Sequence, residues 1–323
     1  MNQSADISNT DHAHQPAHLI DLGSSRLSVA QLAQVRTVLE SAEAHDGVEP
    51  FGEAFLRGLD RDSGHRHVLA VAGDGDGGND GDDGGSEVVV GLVASDGDAA
   101  ELAVHPDFRG QGIGAQLIAE VEGTPVWAHG DTPGAQALAR RVGRRRTREL
   151  LQMTVTGDAL QKLADQPVTA DDGIAIVDYP AATQQLGQER VDQAWVDTNN
   201  EAFSWHPEQG GWDLGKLNES RDTAWYDPAG VFFALDAEAM LGFHWTKWHA
   251  DAEIPTGEVY VIGLAERARG KGLGSRLTTA GIQHLIKSAA EEVLLYVEGD
   301  NESAVRTYKK LGFQISRRDV MYG

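Results

Sequence analysis

The sequence predicts an α/β protein made of two copies of one strand–loop–helix–strand–helix unit. Three observations predict it. A hexapeptide of the form Arg-Gly-x-Gly-x-Gly occurs twice, at 109–114 and at 269–274, a spacing of 160 residues. Each copy follows a β-rich run and opens an amphipathic helical pattern. The length of 323 residues suits two domains of about 100–200 residues each.

The elements follow in chain order. Residues 1–17 are polar and carry Asp and His rather than Lys or Arg. They lack the basic and apolar stretches of a signal peptide, so a disordered leader is expected. An N-terminal domain is expected over 18–160. Its β-rich runs at 67–72 and 88–94 flank GDGDGGNDGDDGGSE at 73–87. That composition predicts two antiparallel strands joined by a solvated acidic loop. Calcium is disfavoured, because the carboxylate spacing of an EF-hand is not met. The first glycine run leads into a helix at 115–122, a short strand at 126–128 and a helix ending at Gly143. Pro167 and the turn residues 171–173 mark a linker at 163–173. A strand at 174–177 opens the C-terminal domain, expected over 174–323. There a strand at 258–263 precedes the second glycine run. A helix at 275–289, a strand at 293–297 and a helix ending at Gly312 follow.

Composition narrows the partners. Hydrophobic residues make up 41%, enough for two ordinary cores. No apolar run reaches the ~18 residues a membrane helix needs. The formal charge of −23 repels phosphate backbones and anionic lipid, so neither nucleic acid nor membrane is an expected partner. The absence of cysteine excludes disulfides, thiolate metal sites and a cysteine nucleophile. A cytoplasmic monomer is expected.

The glycine runs carry the chemistry. At a helix start the first amide N–H groups lack internal partners and sit at the positive end of the dipole, so they bind anions. Gly270, Gly272 and Gly274 admit a bulky phosphate without Cβ clashes. A pyrophosphate is the favoured ligand. A dinucleotide fold wants its glycines directly after the strand, whereas residues 265–267 intervene here. A Walker loop wants a Gly-Lys-Ser/Thr ending, which is absent. One copy alone could be a structural turn; two in equivalent settings point to a ligand.

Both runs resemble the acetyl-CoA pyrophosphate loop of the GNAT acetyltransferases, Q/R-x-x-G-x-G/A. Residues 301–313, NESAVRTYKKLGF, resemble that family's N-x-x-A-x-x-x-Y-x-x-x-G-F element. Four further segments are similar to the two-domain mycothiol synthase family within it: HDGVEPFGE at 45–53, AFSWHPEQGGW at 202–212, LGFHWTK at 241–247 and LYVE at 295–298. The resemblance implies tandem GNAT domains, each a mixed, mostly antiparallel sheet with helices on both faces. It also implies acetyl-CoA as co-substrate and, as acceptor, the cysteine amine of cysteinyl-glucosaminyl-inositol.

Direct transfer needs a base for the amine and an acid for the departing thiolate. By the same resemblance, Glu258 is the expected base and Tyr308 the expected acid. A strand carboxylate at the surface and a core tyrosine are the plain alternatives. The backbone of Ile262, Gly263 and Leu264 is expected to pair with the pantetheine arm. Arg269, Gly270, Lys271, Gly272, Leu273, Gly274 and Ser275 are expected to hold the pyrophosphate. Asn301, Glu302, Ser303, Ala304, Val305 and Arg306 are expected on the pantetheine and adenosine side. The polar acceptor needs convergent polar groups, and the resemblance points to Glu53, Glu208, Lys247, Glu258 and Tyr296. Taken singly, such Lys and Glu residues are commonly just solvated. His206 and His244 lack the supporting cluster of a metal site, so no metal is expected.

The first copy keeps a loop but changes its chemistry. Leu102, Ala103, Val104, Gly110, Gln111, Gly112, Ile113, Gly114 and Ala115 are expected to hold acetyl-CoA or a degenerate version of it. Alignment sets Ala139 against Tyr308, Thr132 against Asn301 and Asp98 against Glu258. Transfer is therefore expected in the C-terminal half. Arg140, Arg141 and residues 144–146 form a basic cluster that could meet phosphates or local carboxylates. Other open readings are a two-domain N-acetyltransferase for an antibiotic or protein amine, and a coenzyme A-binding sensor without chemistry.

Overall fold

The computed structural model describes residues 17–60, 63–73, 87–168, 172–204, 209–250 and 252–323. The leader to residue 16, most of the acidic segment 73–87 and Glu208 lie outside the described residues. In chain order the elements are β1 (His18–Gly23), α1 (Val29–Asp46), α2 (Glu53–Asp60), β2 (Arg66–Gly73), β3 (Glu87–Ser95), β4 (Ala100–Val104), α3 (Ile113–Ala119), β5 (Val126–Ala128), α4 (Pro133–Val142), β6 (Arg146–Thr156) and α5 (Gly157–Ala164). There follow β7 (Ala175–Asp178), α6 (Tyr179–Leu186), α7 (Gln188–Ala202), α8 (Leu214–Arg221), β8 (Val231–Leu235), β9 (Met240–His249), β10 (Thr256–Leu264), α9 (Leu273–Lys287), β11 (Glu292–Glu298), α10 (Glu302–Lys310) and β12 (Gln314–Tyr322). The chain divides into two compact units, one of residues 1–149 with 318–323 and one of residues 150–317.

The first unit orders its strands β1-β2-β3-β4-β5, followed by the C-terminal end of β12. Pairing is antiparallel except between β4 and β5. The sheet buries both faces, so β2 reads as a continuous apolar run. Leu69 and Val71 face one way and pack with Val35, Val38, Phe55 and Leu59 of α1 and α2. Val68 and Ala70 face the other way and pack with Ile113 and Leu117 of α3. Ser28 starts α1 through a capping box, and Gly47 ends it in the left-handed conformation at φ 70°.

The second unit orders its strands β6-β11-β10-β9-β8-β7. Here too one pair is parallel, β10 with β11, inside an otherwise antiparallel sheet. Trp195, Val196 and Leu217 of α7 and α8 pack with Phe233, Phe243 and Trp245 on one face. Ile282 and Leu285 of α9, with Leu160 and Leu163 of α5, pack with Val259, Val293 and Leu295 on the other. The expected linker is tied down at both ends. Arg276 donates to the carbonyls of Val168 (2.8 Å) and Ile174 (3.1 Å) and pairs with Asp172 (2.6 Å). The fold is the expected mixed sheet with helices on both faces, twice over.

Candidate active site

In the second unit, β10 and β11 pair in parallel from Thr256↔Glu292 to Val259↔Leu295 and then part. On its other edge, β10 stays paired with β9 as far as Leu264↔Gly242. The stretch 260–264, which holds Ile262, Gly263 and Leu264, thus has one backbone edge facing an opening. An extended amide-bearing chain fits such an edge as an added strand. Beyond it a short turn, Glu266–Ala268, delivers the chain to Arg269. Gly270 and Gly272 take φ values of 75° and 78°, a conformation only glycine adopts freely. Gly272 is the N-cap of α9 and offers no side chain, so the amides of Leu273, Gly274 and Ser275 lack an internal partner. A phosphate is the matching ligand.

The face of β10 turned toward α7 carries the polar groups. Register shifts between Val259 and Val261, leaving Tyr260 as an extra residue. Val259 belongs to the cluster under α9, whereas Val261 belongs to the cluster under α7. A bulge of this kind re-aims side chains where a strand meets a site. Glu258, opposite in sense to Val259, lies on the α7 face with Lys247 directly across the ladder. Tyr296, adjacent to Leu295 of the α9-side cluster, also faces that way. The structure thus brings Lys247, Glu258 and Tyr296 to one face of three neighbouring strands.

Their surroundings add residues that sequence reasoning missed. Glu258 is 6% exposed, and its Oε2 lies 2.7 Å from Nε2 of His249. His249 is two residues beyond Lys247 and shares its face, but no spacing in the sequence announces a partner nine positions away. The Lys247 ammonium sits 5.3 Å from the ring centre of Trp225 and 5.7 Å from that of Tyr260, where the ring quadrupoles attract it. Tyr260 is exposed and meets Trp225 edge-on at 4.8 Å. The Tyr296 hydroxyl accepts from Gln152 at 2.9 Å and from Arg317 at 3.3 Å.

Tyr308 lies on α10 among Leu295, Val297, Leu311 and Phe313. It is 6% exposed, and burial pushes its phenol up to about 12. Such a phenol stays protonated at neutral pH, the state an acid requires. Asn301 caps α10, its side chain accepting from the Ala304 amide at 3.2 Å. Arg306 pairs with Glu302 one turn back at 2.9 Å. Both therefore have local structural work as well as a position beside the opened strands. Glu53 begins α2 in the first unit, is exposed and pairs with Arg57 at 2.9 Å. His244 is fully buried and bonds the Leu277 carbonyl at 2.8 Å; burial pushes its pKa down to about 4, so it is a neutral core histidine.

The first unit repeats the arrangement with different chemistry. The β4 and β5 strands pair only at Ala100↔Val126 and Glu101↔Trp127 before they part. A cavity of about 400 Å³ opens there, and all the expected cofactor residues except Gln111 line it. Gly110 and Gly112 take φ values of 77° and 88°. Thr132 caps α4 through the Ala135 amide as Asn301 caps α10. Ala139 is a small buried core residue. Arg109 makes a two-point pair with Asp46 at 2.8 Å and donates from Nε to Val104, so each of its three nitrogens is engaged. That pair holds the Asp46 carboxyl below its usual range. Arg144 spends its donors on the Val121, Thr124 and Tyr322 carbonyls, and Arg146 pairs with Asp131. Arg141 lines the cavity. Asp98 sits in the turn before β4, its amide bonded to Asp96. The buried carboxylate on that strand is instead Glu101, bonded to His129.

Comparison with known proteins agrees with this geometry. The sequence matches the Acetyltransferase (GNAT) family over residues 185–313 and an Acetyltransferase (GNAT) domain over residues 54–144. A mycothiol acetyltransferase of Corynebacterium aurimucosum is 45% identical, over 92% of this chain and 95% of its own length. One from Corynebacterium efficiens is 44% identical, over 90% of this chain and 91% of its own. A GCN5-related N-acetyltransferase from Sphaerobacter thermophilus superposes with a TM-score of 0.65 at 21% identity, covering 94% of each chain. A tandem GNAT protein from the clavulanic acid biosynthesis pathway gives 0.62 at 16% identity, covering 95% of this chain and 97% of its own. At those identities the two solved structures speak for the fold alone.

Proposed function

The chain belongs to the mycothiol acetyltransferases, a family of tandem GNAT proteins, and from that membership we propose that it transfers acetyl from acetyl-CoA to the cysteine amine of cysteinyl-glucosaminyl-inositol. The observation that carries the reading is the convergence of Lys247, Glu258 and Tyr296 on one sheet face beside the opened β10–β11 edge. The co-substrate enters with its pantetheine along residues 262–264 and its pyrophosphate on the amides that follow Gly272. The acceptor amine arrives protonated. The Glu258 carboxylate takes a proton, directly or through a water, and frees the nitrogen lone pair. Nitrogen attacks the thioester carbonyl, the C–N bond forms and the C–S bond breaks. The Tyr308 phenol protonates the leaving thiolate, the second proton shed by the new amide nitrogen restores the phenol, and Glu258 returns its proton to water. No metal takes part in these steps.

Lys247 and Tyr296, with Glu208, recognise the hydroxyls and charges of the acceptor; the family resemblance alone assigns Glu53 to the same substrate. Trp225 and Tyr260 fix the Lys247 ammonium rather than leave it to wander. The first unit binds the same co-substrate, or a remnant of that capacity, without transferring from it. There Ala139 supplies no proton, and Arg109 is held by Asp46. Incubation of the purified protein with acetyl-CoA and the aminothiol, followed by mass spectrometry, tests the reading. Appearance of the N-acetyl product is expected. Acetylation of an aminoglycoside or a protein amine in its place, or of nothing, would refute it.

A further inference from the structure

Glu258 has two carboxylate oxygens, and they are treated differently. Oε2 is bonded to His249 Nε2 at 2.7 Å. Among the described residues, Oε1 has no hydrogen-bond partner. An ionised carboxylate only accepts, so the shared proton belongs to Nε2 of His249. The carboxylate side chain is 8% exposed and the imidazole 30%. The pair therefore runs from the buried face of the site outward to water. The anchor is itself well placed: His249 ends β9, pairs with Thr256 and shares the face of Lys247.

We propose that His249 is a positioning residue for the acetyl transfer: its Nε2–H fixes one oxygen of Glu258 and leaves the other aimed at the acceptor amine. The proposal rests on the reading of Glu258 as the base. A carboxylate with a free torsion would share its time among orientations, and misplacement of a base by an ångström costs rate heavily. Other titratable groups on this face are Lys247, held over Trp225 and Tyr260, the phenol of Tyr296, and Glu292 and Glu298 of β11. None of them is bonded to Glu258.

Steady-state kinetics of three variants test this. His249→Ala is expected to lower kcat about 10- to 100-fold, the usual scale for a hydrogen bond to a charged group, while the KM for acetyl-CoA stays put. His249→Gln places an amide N–H where Nε2 was and should recover most of the rate. Glu258→Gln should be inactive. Wild-type turnover in His249→Ala would overturn the proposal. So would a His249→Gln protein that folds normally yet stays as slow as His249→Ala. An active Glu258→Gln would instead remove the base assignment itself, which separates the two failures.

Discussion

His129 Nε2 sits 2.8 Å from Glu101 Oε1, inside the first unit. Its other ring nitrogen faces Asp319 at 3.4 Å, and Asp319 also accepts from the Gly130 amide at 2.8 Å. The three side chains are 14%, 4% and 2% exposed. Burial alone would strip the proton from the imidazole, but two carboxylates outweigh it and raise its pKa to about 9.

That shift makes a stability prediction. The unfolded histidine titrates near about 6.5. A pKa raised in the folded state stabilises the protein fully below that value and is lost as pH climbs through about 9. The gap corresponds to about 3 kcal/mol or slightly more. Hydrogen exchange at the amides of β4 and β5, followed from pH 6 to pH 10 and corrected for intrinsic rate, should show protection declining over that window. In His129→Asn the decline should be absent and protection at pH 6 lower, because two buried carboxylates have lost their counter-charge. Matching slopes in the two proteins would refute a charged His129 between Glu101 and Asp319.

Tyr308→Phe should cost about 10²–10⁴-fold in turnover, the range for a lost general acid. The KM for acetyl-CoA should change little. The substitution is clean because the ring already packs against Phe313 at 5.9 Å within an apolar cluster. Thermal stability should be close to wild type. A variant that turns over normally reduces Tyr308 to packing.

Why some of this was legible and some was not has a physical basis. The Arg-Gly-x-Gly-x-Gly runs could be read because a phosphate loop needs positive φ at fixed positions, and only glycine supplies that freely. Gly110, Gly112, Gly270 and Gly272 all show it. Lys247, Glu258 and Tyr296 carried a family resemblance, but that they share one face is a matter of register. The bulge at Tyr260 leaves no mark in residue type, so neither the reversal between Val259 and Val261 nor the aromatic seat of Lys247 could be read. His249 was missed because it meets Glu258 only across the β9–β10 hairpin. Asp98 was set against Glu258 by a constant offset of 160, which fixes a place along the chain but not which residues the ladder takes up. Ladder pairing, set by tertiary contacts, puts Asp98 in a turn and Glu101 on the strand.

Glu53→Ala should raise the KM for the aminothiol about 10- to 150-fold, as expected for loss of one charge-assisted hydrogen bond. Acetyl-CoA affinity should be unaffected. Glu53 is exposed and its ion pair with Arg57 lies within one helix turn. An aminothiol KM equal to wild type would leave Glu53 as a solvated helix-start carboxylate.

The division of labour between the two glycine loops is open to a direct comparison. Gly112 and Gly272 both cap a helix at positive φ, with open space where a Cβ would stand. Valine at either position therefore meets no neighbour but must adopt a backbone that a β-branched residue resists. The helices behind them differ. The second has fifteen residues, the first seven. The arginine ahead of the first loop is committed to Asp46. Gly272→Val should therefore weaken acetyl-CoA binding by more than 10-fold, on the order of 1.4 kcal/mol or greater, and lower kcat/KM at least as much. Gly112→Val should keep most of the turnover. Asparagine separates strain from obstruction, since it tolerates the left-handed region yet still places a side chain where the phosphate would lie. Gly272→Asn should fold like wild type and still bind acetyl-CoA poorly in calorimetric titration. Turnover lost with Gly112→Val and kept with Gly272→Val would move the active site to the first unit and reverse the assignment.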